Sequence, residues 1–288
     1  MSVININNEP LAIVYNMAET ELDVAYNISG VIIYEKGAGV LPVPTGNLTA
    51  NQKINLPDLY EAGKGFTCTG LSYDLINNCF LVGDIGILKP NSGTIRSQII
   101  KMSADFSSVL GTIPLYERFP SMADVQGITI DTRNNTIWFC SPGENKIRNI
   151  TQQNNPLAEI NITQPTGIAF DRRDSSLWVL NYQNKILHVD RYGNIIQSVD
   201  FAYNEALDQC FFDPGRGYLY ITAGNNYNSR NNIYLYNTIS GEQSIVCTVD
   251  SYSVEGLWIG EDKMVIVNDG YYHSAAEPYN TADIYDLT

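Results

Sequence analysis

The side chains best suited to chemistry in this sequence are carboxylates, amides and phenols, and they fall beside apolar runs rather than in one local motif. Asp84 follows CFLVG, Asp124 precedes VQGITID, Glu255 sits in VEGLWIG and Asp269 follows MVIVN. With neighbouring Asn carbonyls these groups could hold Ca²⁺, a hard cation that takes six to eight oxygen ligands, and Asp84 and Asp269 are the expected ligands. Asp124 and Glu255 are the expected acid–base pair for cleaving a glycosidic bond. His273, in NDGYYH, is the candidate proton shuttle near neutral pH. Tyr26, Asn181, Tyr182, Asn225, Asn268, Tyr271 and Tyr272 are the expected ligand-binding groups, amides for hydroxyls and rings for stacking. Against these readings stands a local one, in which loop Asp and Asn residues simply close Asx-turns. Carboxylates crowding one opening, however, repel unless something neutralises them. His188, inside KILHVD, reads as a packing or surface residue. No Ser-His-Asp order, H-E-x-x-H, P-loop or contextual G-x-G-x-x-G is present.

These residues are far apart in sequence, so the fold must gather them. A phrase of the form G-I-x-x-D, a polar turn and a second apolar run recurs along the chain. Its anchor glycines are Gly70, Gly127, Gly167 and Gly256, while Ala12 and Gln209 fill the same slot. Four residues on come Asp74, Asp131, Asp171 and Asp213, with Asn16 and Gly260 in the remaining copies. Turn residues between β-branched and aromatic runs predict hairpins; a third strand follows in each copy, and a fourth in the copies before the last. The six echoes, with inner strands starting near 12, 70, 127, 167, 209 and 256, predict an all-β, six-bladed β-propeller of four-stranded blades, a single domain over 1–288. The last copy stops after its third strand, so the alternating N-terminal run Ser2 to Asn7 is expected to complete the last blade and remove an open edge. The residues just before inner strands and just after second strands then converge on one channel mouth.

Composition limits the partners. The chain of 288 residues carries 17 Lys+Arg against 31 Asp+Glu, a net charge of −14. That balance argues against nucleic acid and anionic lipid, which are recognised through basic surface. No apolar run approaches the roughly 18 residues of a membrane span. The start lacks a basic segment and an apolar core, so no export signal is expected and the protein is placed in the cytoplasm or on a virion. Five cysteines without a C-x-x-C pair, four of them in or beside apolar runs, read as small buried hydrophobes.

The phrases QPTGIAFD…SLWVLNYQNKILHVDRYGNI and TGLSYD…FLVGD resemble the six-bladed propellers that include NHL repeats, the gluconolactonase-like group and the esterase-like phytase group. Such a resemblance implies fold far more than function, since those groups range from binding scaffolds to calcium-dependent lactonases and phosphoesterases. The early Glu ligand of the gluconolactonase-like pattern has no match here, where the first copy offers Asn16 and Tyr26. Three functions remain in competition. The first is recognition of a polar small molecule or glycan at the acidic mouth, in keeping with an Asn content of about a tenth and 19 Tyr, a composition suggestive of a phage tail or other virion protein. The second is a divalent-metal-dependent hydrolase of lactonase, phosphoesterase or glycan-degrading type. The third is a protein-interaction scaffold using outer loops such as 36–66.

Overall fold

The computed structural model describes residues 41–60, 63–86, 96–122, 124–223, 227, 229–260, 262–273 and 279–287, together with the backbone of 24–26 and 32–35. Among them, strands dominate, and the only α-helix is the single turn Leu115–Arg118. No helix among them is long and apolar enough to cross a membrane. The repeat folds as read: Gly-anchored run, Asp-closed turn, second run, then two further antiparallel strands. The copy anchored at Gly167 shows the pattern, with Pro165–Asp171, Ser176–Asn181, Lys185–Val189 and Ile195–Asp200 in consecutive order. Second strands such as Cys79–Asp84, Thr136–Ser141 and Ser176–Asn181 are buried at every position. A strand in the middle of a blade loses both faces to neighbouring blades, which is why these segments are apolar without alternation.

The ring has five blades, not six. The inner strands are Cys68–Asp74, Ile128–Asp131, Pro165–Asp171, Cys210–Asp213 and Val254–Ile259, here the first to fifth blades. Val254–Ile259 packs directly against Cys68–Asp74, leaving no sector for another blade. The core agrees, because it divides into five apolar clusters, one per blade interface. The closing one joins Val265, Val267 and Ala282 of the fifth blade to Leu71, Phe80 and Val82 of the first. The expected closure by the N-terminal run is also corrected. Its place beside Thr281–Asp286 is taken by Gln52–Asn55, which pairs antiparallel there, and Gly46–Leu48 adds a parallel fifth strand to the fourth blade. The copy anchored at Ala12 and the run Ser2 to Asn7 lie outside the described residues. Val24–Tyr26 and Ile32–Glu35 form a separate two-stranded pair.

The anchor glycines explain why the ring closes this tightly. A Cβ on Gly127 would lie 2.6 Å from Thr166 O, one on Gly167 2.7 Å from Asp208 O, and one on Gly256 2.5 Å from Leu71 Cβ. Inner strands therefore touch backbone to backbone. Gln209, standing where the other described blades have glycine, fills the axis instead. Its Oε1 accepts from Ile168 N at 2.9 Å and Cys210 N at 3.0 Å, and its Nε2 donates to Ile128 O at 3.0 Å. One side chain thus ties the second, third and fourth blades together.

Gly167→Ala is expected to cost about 3 kcal/mol or to prevent folding, because the added methyl meets backbone that cannot step aside. Gly111→Ala, where a Cβ meets nothing within 4 Å, is expected to stay within about 0.5 kcal/mol of the parent. Urea unfolding of the two variants measures the difference.

Candidate functional site

Above the Gln209 plug, at the end where inner strands begin and second strands finish, three side chains come together. Ligand atoms of Glu255, Asp269 and His273 all lie within 4.8 Å of one another. Glu255 is the second residue of Val254–Ile259, so the same strand that closes the ring carries it to the axis. It is 8 % exposed, and its main-chain carbonyl accepts from Thr222 Oγ1 at 2.7 Å. Asp269 follows the buried strand Lys263–Asn268 and accepts from Ser253 Oγ. His273 lies one turn further on, with its amide donating to Asp269 O at 3.4 Å and its Nε2 3.3 Å from Asp269 Oδ2.

Burial sets the protonation states. It pushes the Glu255 carboxyl well above the carboxylate range, and the charges of Asp269 and Asp208 push it the same way. Burial pulls the His273 imidazole down, but its hydrogen bond to Asp269 and the charges of Asp269 and Asp208 more than reverse that. Both shifts act toward the protonated form, of Glu255 on one side and of the imidazole hydrogen-bonded to Asp269 on the other. Phenols surround it. Tyr227 stacks on His273 with ring centroids 4.4 Å apart and planes at 14°, and Tyr272 meets the same imidazole edge-on at 4.9 Å. Tyr182 is 49 % exposed, and burial of its hydroxyl with the charges of Asp208, Glu255 and Asp124 raises its pKa. Tyr272 is raised too, by burial and the charges of Asp269, Glu255 and Asp124. Asp124 is itself raised by burial, and its Oδ1 is buried without a partner.

Of the residues singled out by sequence, Glu255, Asp269 and His273 converge, and Asp124, Tyr182 and Tyr272 sit within reach of their field. Asp84 is placed differently: fully buried, it accepts from Tyr60 Oη, from Gln98 Nε2 at 2.8 Å and from Gly86 N at 2.9 Å. Burial nonetheless raises it to about 6, against those three donors. Asn181 spends its Oδ1 on the amides of Gln183 and Lys185, both at 3.1 Å. Asn268 donates to Thr281 Oγ1 at 2.6 Å and to Asp283 Oδ2 at 3.3 Å. Tyr271 lies under the Lys64 ammonium, 4.5 Å from its ring centroid. Tyr26 lies in the strand Val24–Tyr26, and Asn225 falls outside the described residues. Sequence reading missed Tyr227, although the cluster AGNNYN that drew attention to Asn225 contains it. His188 does pack as read, stacked on Trp178 with centroids 4.1 Å apart.

Two carboxylates and an imidazole form a donor set for a borderline metal such as Zn²⁺ more than for the all-oxygen shell of Ca²⁺. Asp171, Asp174 and His188 form a second such group, but Asp171 is already forked by Arg173 at 2.7–3.3 Å. All five cysteines are free and buried.

No protein-family model matches the sequence, and no curated protein matches it. Solved propellers do resemble it. Glutaminyl cyclase of Myxococcus xanthus superposes with a TM-score of 0.57 at 7% identity, covering 84% of this chain and 97% of that one. A chain of the nidogen/laminin complex gives 0.50 at 13% identity, covering 70% and 72%. The U3-55K structure gives 0.48 at 14%, and this chain, 77% of it aligned, spans 63% of that one. At these identities the likeness is one of fold.

The chain has 2 His, so proton NMR resolves both titrations. His273 is expected to titrate above 6.5 and His188 below it, the latter because burial outweighs its acidic neighbours. Asp269→Asn is expected to bring His273 down, and an unchanged value there would sink the ion-pair assignment. Asp84 gives a second expectation. Its folded-state pKa of about 6 lies above the ordinary 3.8, so it stabilises the fold fully below that ordinary value and the contribution is lost as pH rises through about 6. Chemical denaturation between about pH 4 and pH 7 should therefore show a smaller loss of stability in Asp84→Asn than in the parent.

Proposed function

We propose that this propeller is a recognition module whose acidic end binds a polar, hydroxyl-rich ligand of the glycan class. The observation that carries the reading is the convergence of Glu255, Asp269 and His273 under three phenols. A protonated Glu255 both donates and accepts, the His–Asp pair offers a charged donor beside a charged acceptor, and the half-exposed Tyr182 ring supplies a stacking face. Sugars need that combination, because each hydroxyl wants a donor and an acceptor while the ring presents an apolar face. The composition rich in Asn and Tyr supports a place on a virion, where host-surface glycans are read.

A second reading rests on the same three residues. As a metal centre, Glu255, Asp269 and His273 would leave one side open for water, and the protein would be a metal-dependent hydrolase. The fold shared with Myxococcus xanthus glutaminyl cyclase supports neither reading over the other. A glycan array followed by calorimetry separates them. Recognition predicts binding that survives EDTA and weakens at least about tenfold in Tyr182→Ala and Asp269→Ala, a loss of ~1.4 kcal/mol or more. Stoichiometric metal in the purified protein, with hydrolysis abolished by EDTA, would replace recognition by the hydrolase.

A further inference from the structure

The two deep carboxylates of the acidic end are engaged differently. Asp269 uses both oxygens, since Ser253 Oγ donates to Oδ1 and His273 Nε2 lies 3.3 Å from Oδ2. Glu255 uses neither. It is 8 % exposed, yet its side chain accepts no hydrogen bond and joins no ion pair among the described residues. A carboxyl oxygen of Glu255 lies within 4.8 Å of an Asp269 oxygen and a His273 nitrogen, so the group is aimed into the cluster. Neither of its oxygens is sealed off, in contrast to Asp124 Oδ1 at the same end. A carboxyl so deeply placed and without a partner destabilises the fold, and its presence at an opening points to a partner from outside the chain.

The surrounding charge narrows what that partner is. The charges that reach Glu255 are those of Asp269 and Asp208. Asp208, Glu255 and Asp124 act on Tyr182, and Asp269, Asp208 and Glu255 act on Tyr227. Every one of these groups is acidic. The cation-forming side chain inside the cluster is His273, and Asp269 already holds it. The Lys64 ammonium is engaged elsewhere, 4.5 Å from the centroid of the Tyr271 ring. A neutral hydroxyl would give Glu255 a hydrogen bond but leave the negative field as it stands. An ammonium brings three donors and a full positive charge, and so meets both needs at once. The half-exposed ring of Tyr182 adds an aromatic face, which attracts a cation through its negative π cloud.

We infer that the ligand of the acidic end is an amino sugar with a free primary amine, its ammonium held by Glu255 and its ring laid on Tyr182. The inference rests on the recognition reading above and narrows it from glycans in general to those that carry an unacetylated amine. An acetylated amine is neutral and would leave the carboxylates facing one another. The ammonium takes the place of the proton that burial otherwise favours on Glu255.

Proton NMR of the His273 ring, which lies beside Glu255, reports binding at this end. The probes are glucosamine, glucose and N-acetylglucosamine, titrated at about pH 6, where an amine is charged. Glucosamine is expected to bind at least about tenfold more tightly than either neutral sugar. Glu255→Gln keeps the shape and removes the charge, and is expected to bring the three sugars level. The same variant should melt no lower than the parent, because the carboxyl has no partner in the protein to lose; a lower melting temperature would overturn the inference. Three sugars that bind alike, or a preference for glucosamine that survives Glu255→Gln, overturn it and leave the recognition of neutral glycans standing. No response to any of the three overturns both. Stoichiometric metal in the purified protein that Glu255→Gln removes also overturns it, since the carboxyl then has a metal for its partner.

Discussion

The backbones of the inner strands meet at the axis with no room for a methyl group, and the rest of the structure depends on that contact. Gly70, Gly127, Gly167 and Gly256 each face main chain or a Cβ of the next blade at 2.5–2.8 Å from where their own Cβ would be. Apolar burial between blades is non-directional and would tolerate many angles. The glycine contacts do not. They fix how far each blade advances around the axis, and with that advance the fifth blade arrives against the first. Gln209 then seals the centre with hydrogen bonds to two other blades, so the axis has two ends and no through-channel at that level.

The tight axis also creates the electrostatics. Side chains placed one residue before the anchors have no solvent beneath them, only the plug and the neighbouring strands. Two of them, Asp208 and Glu255, are acidic and occupy adjacent blades. Water would screen such a pair, but a buried wall does not. Burial and these charges therefore push the Glu255 carboxyl toward its protonated form, and the bond to Asp269 draws the His273 imidazole the same way. The phenol ring of Tyr227 lies flat on that imidazole, which fixes its plane.

Much of this was legible in the sequence, and the failures have physical causes. The glycine and aspartate of each repeat mark local geometry, a close approach and a turn, so Gly70, Gly127 and Gly167 with Asp74, Asp131 and Asp171 located three blades directly. Blade number is set by a long-range contact instead. Whether Gln52–Asn55 pairs with the strand after it or with Thr281–Asp286 changes nothing in its own pattern, and six echoes gave five sectors. The orientation of the amides is likewise set by the contacts they make. Asn181 and Asn268 have the residue type of ligand groups, but their orientation is decided by Gln183 N and Lys185 N in one case and by Thr281 and Asp283 in the other. Glu255 and Asp269 come together as the pattern implies, because the start of an inner strand and the end of a second strand lie at the same axial end in a propeller, whatever its blade count.

A ring of identical blades would present equivalent wells around each opening and could not orient an asymmetric ligand. This chain departs from its own repeat chiefly in two adjacent sectors. In the fourth blade Gln209 replaces the anchor glycine, Asp208 precedes it, and Gly215 replaces the arginine that elsewhere neutralises the turn aspartate. In the fifth, Glu255 precedes the anchor where Thr69 and Thr166 stand in the first and third, and Trp258 occupies the slot held by Ser72, Thr129 and Ala169. Each departure costs the fold something: a buried carboxyl at Glu255, a carboxylate oxygen without a hydrogen bond at Asp213, a ring that must lie over Gly260. The first and second blades carry such costs too, at buried Asp84 and at the unpartnered Asp124 Oδ1, but in the fourth and fifth they coincide with changes at the repeat's own positions, so the asymmetry of the axis is greatest there.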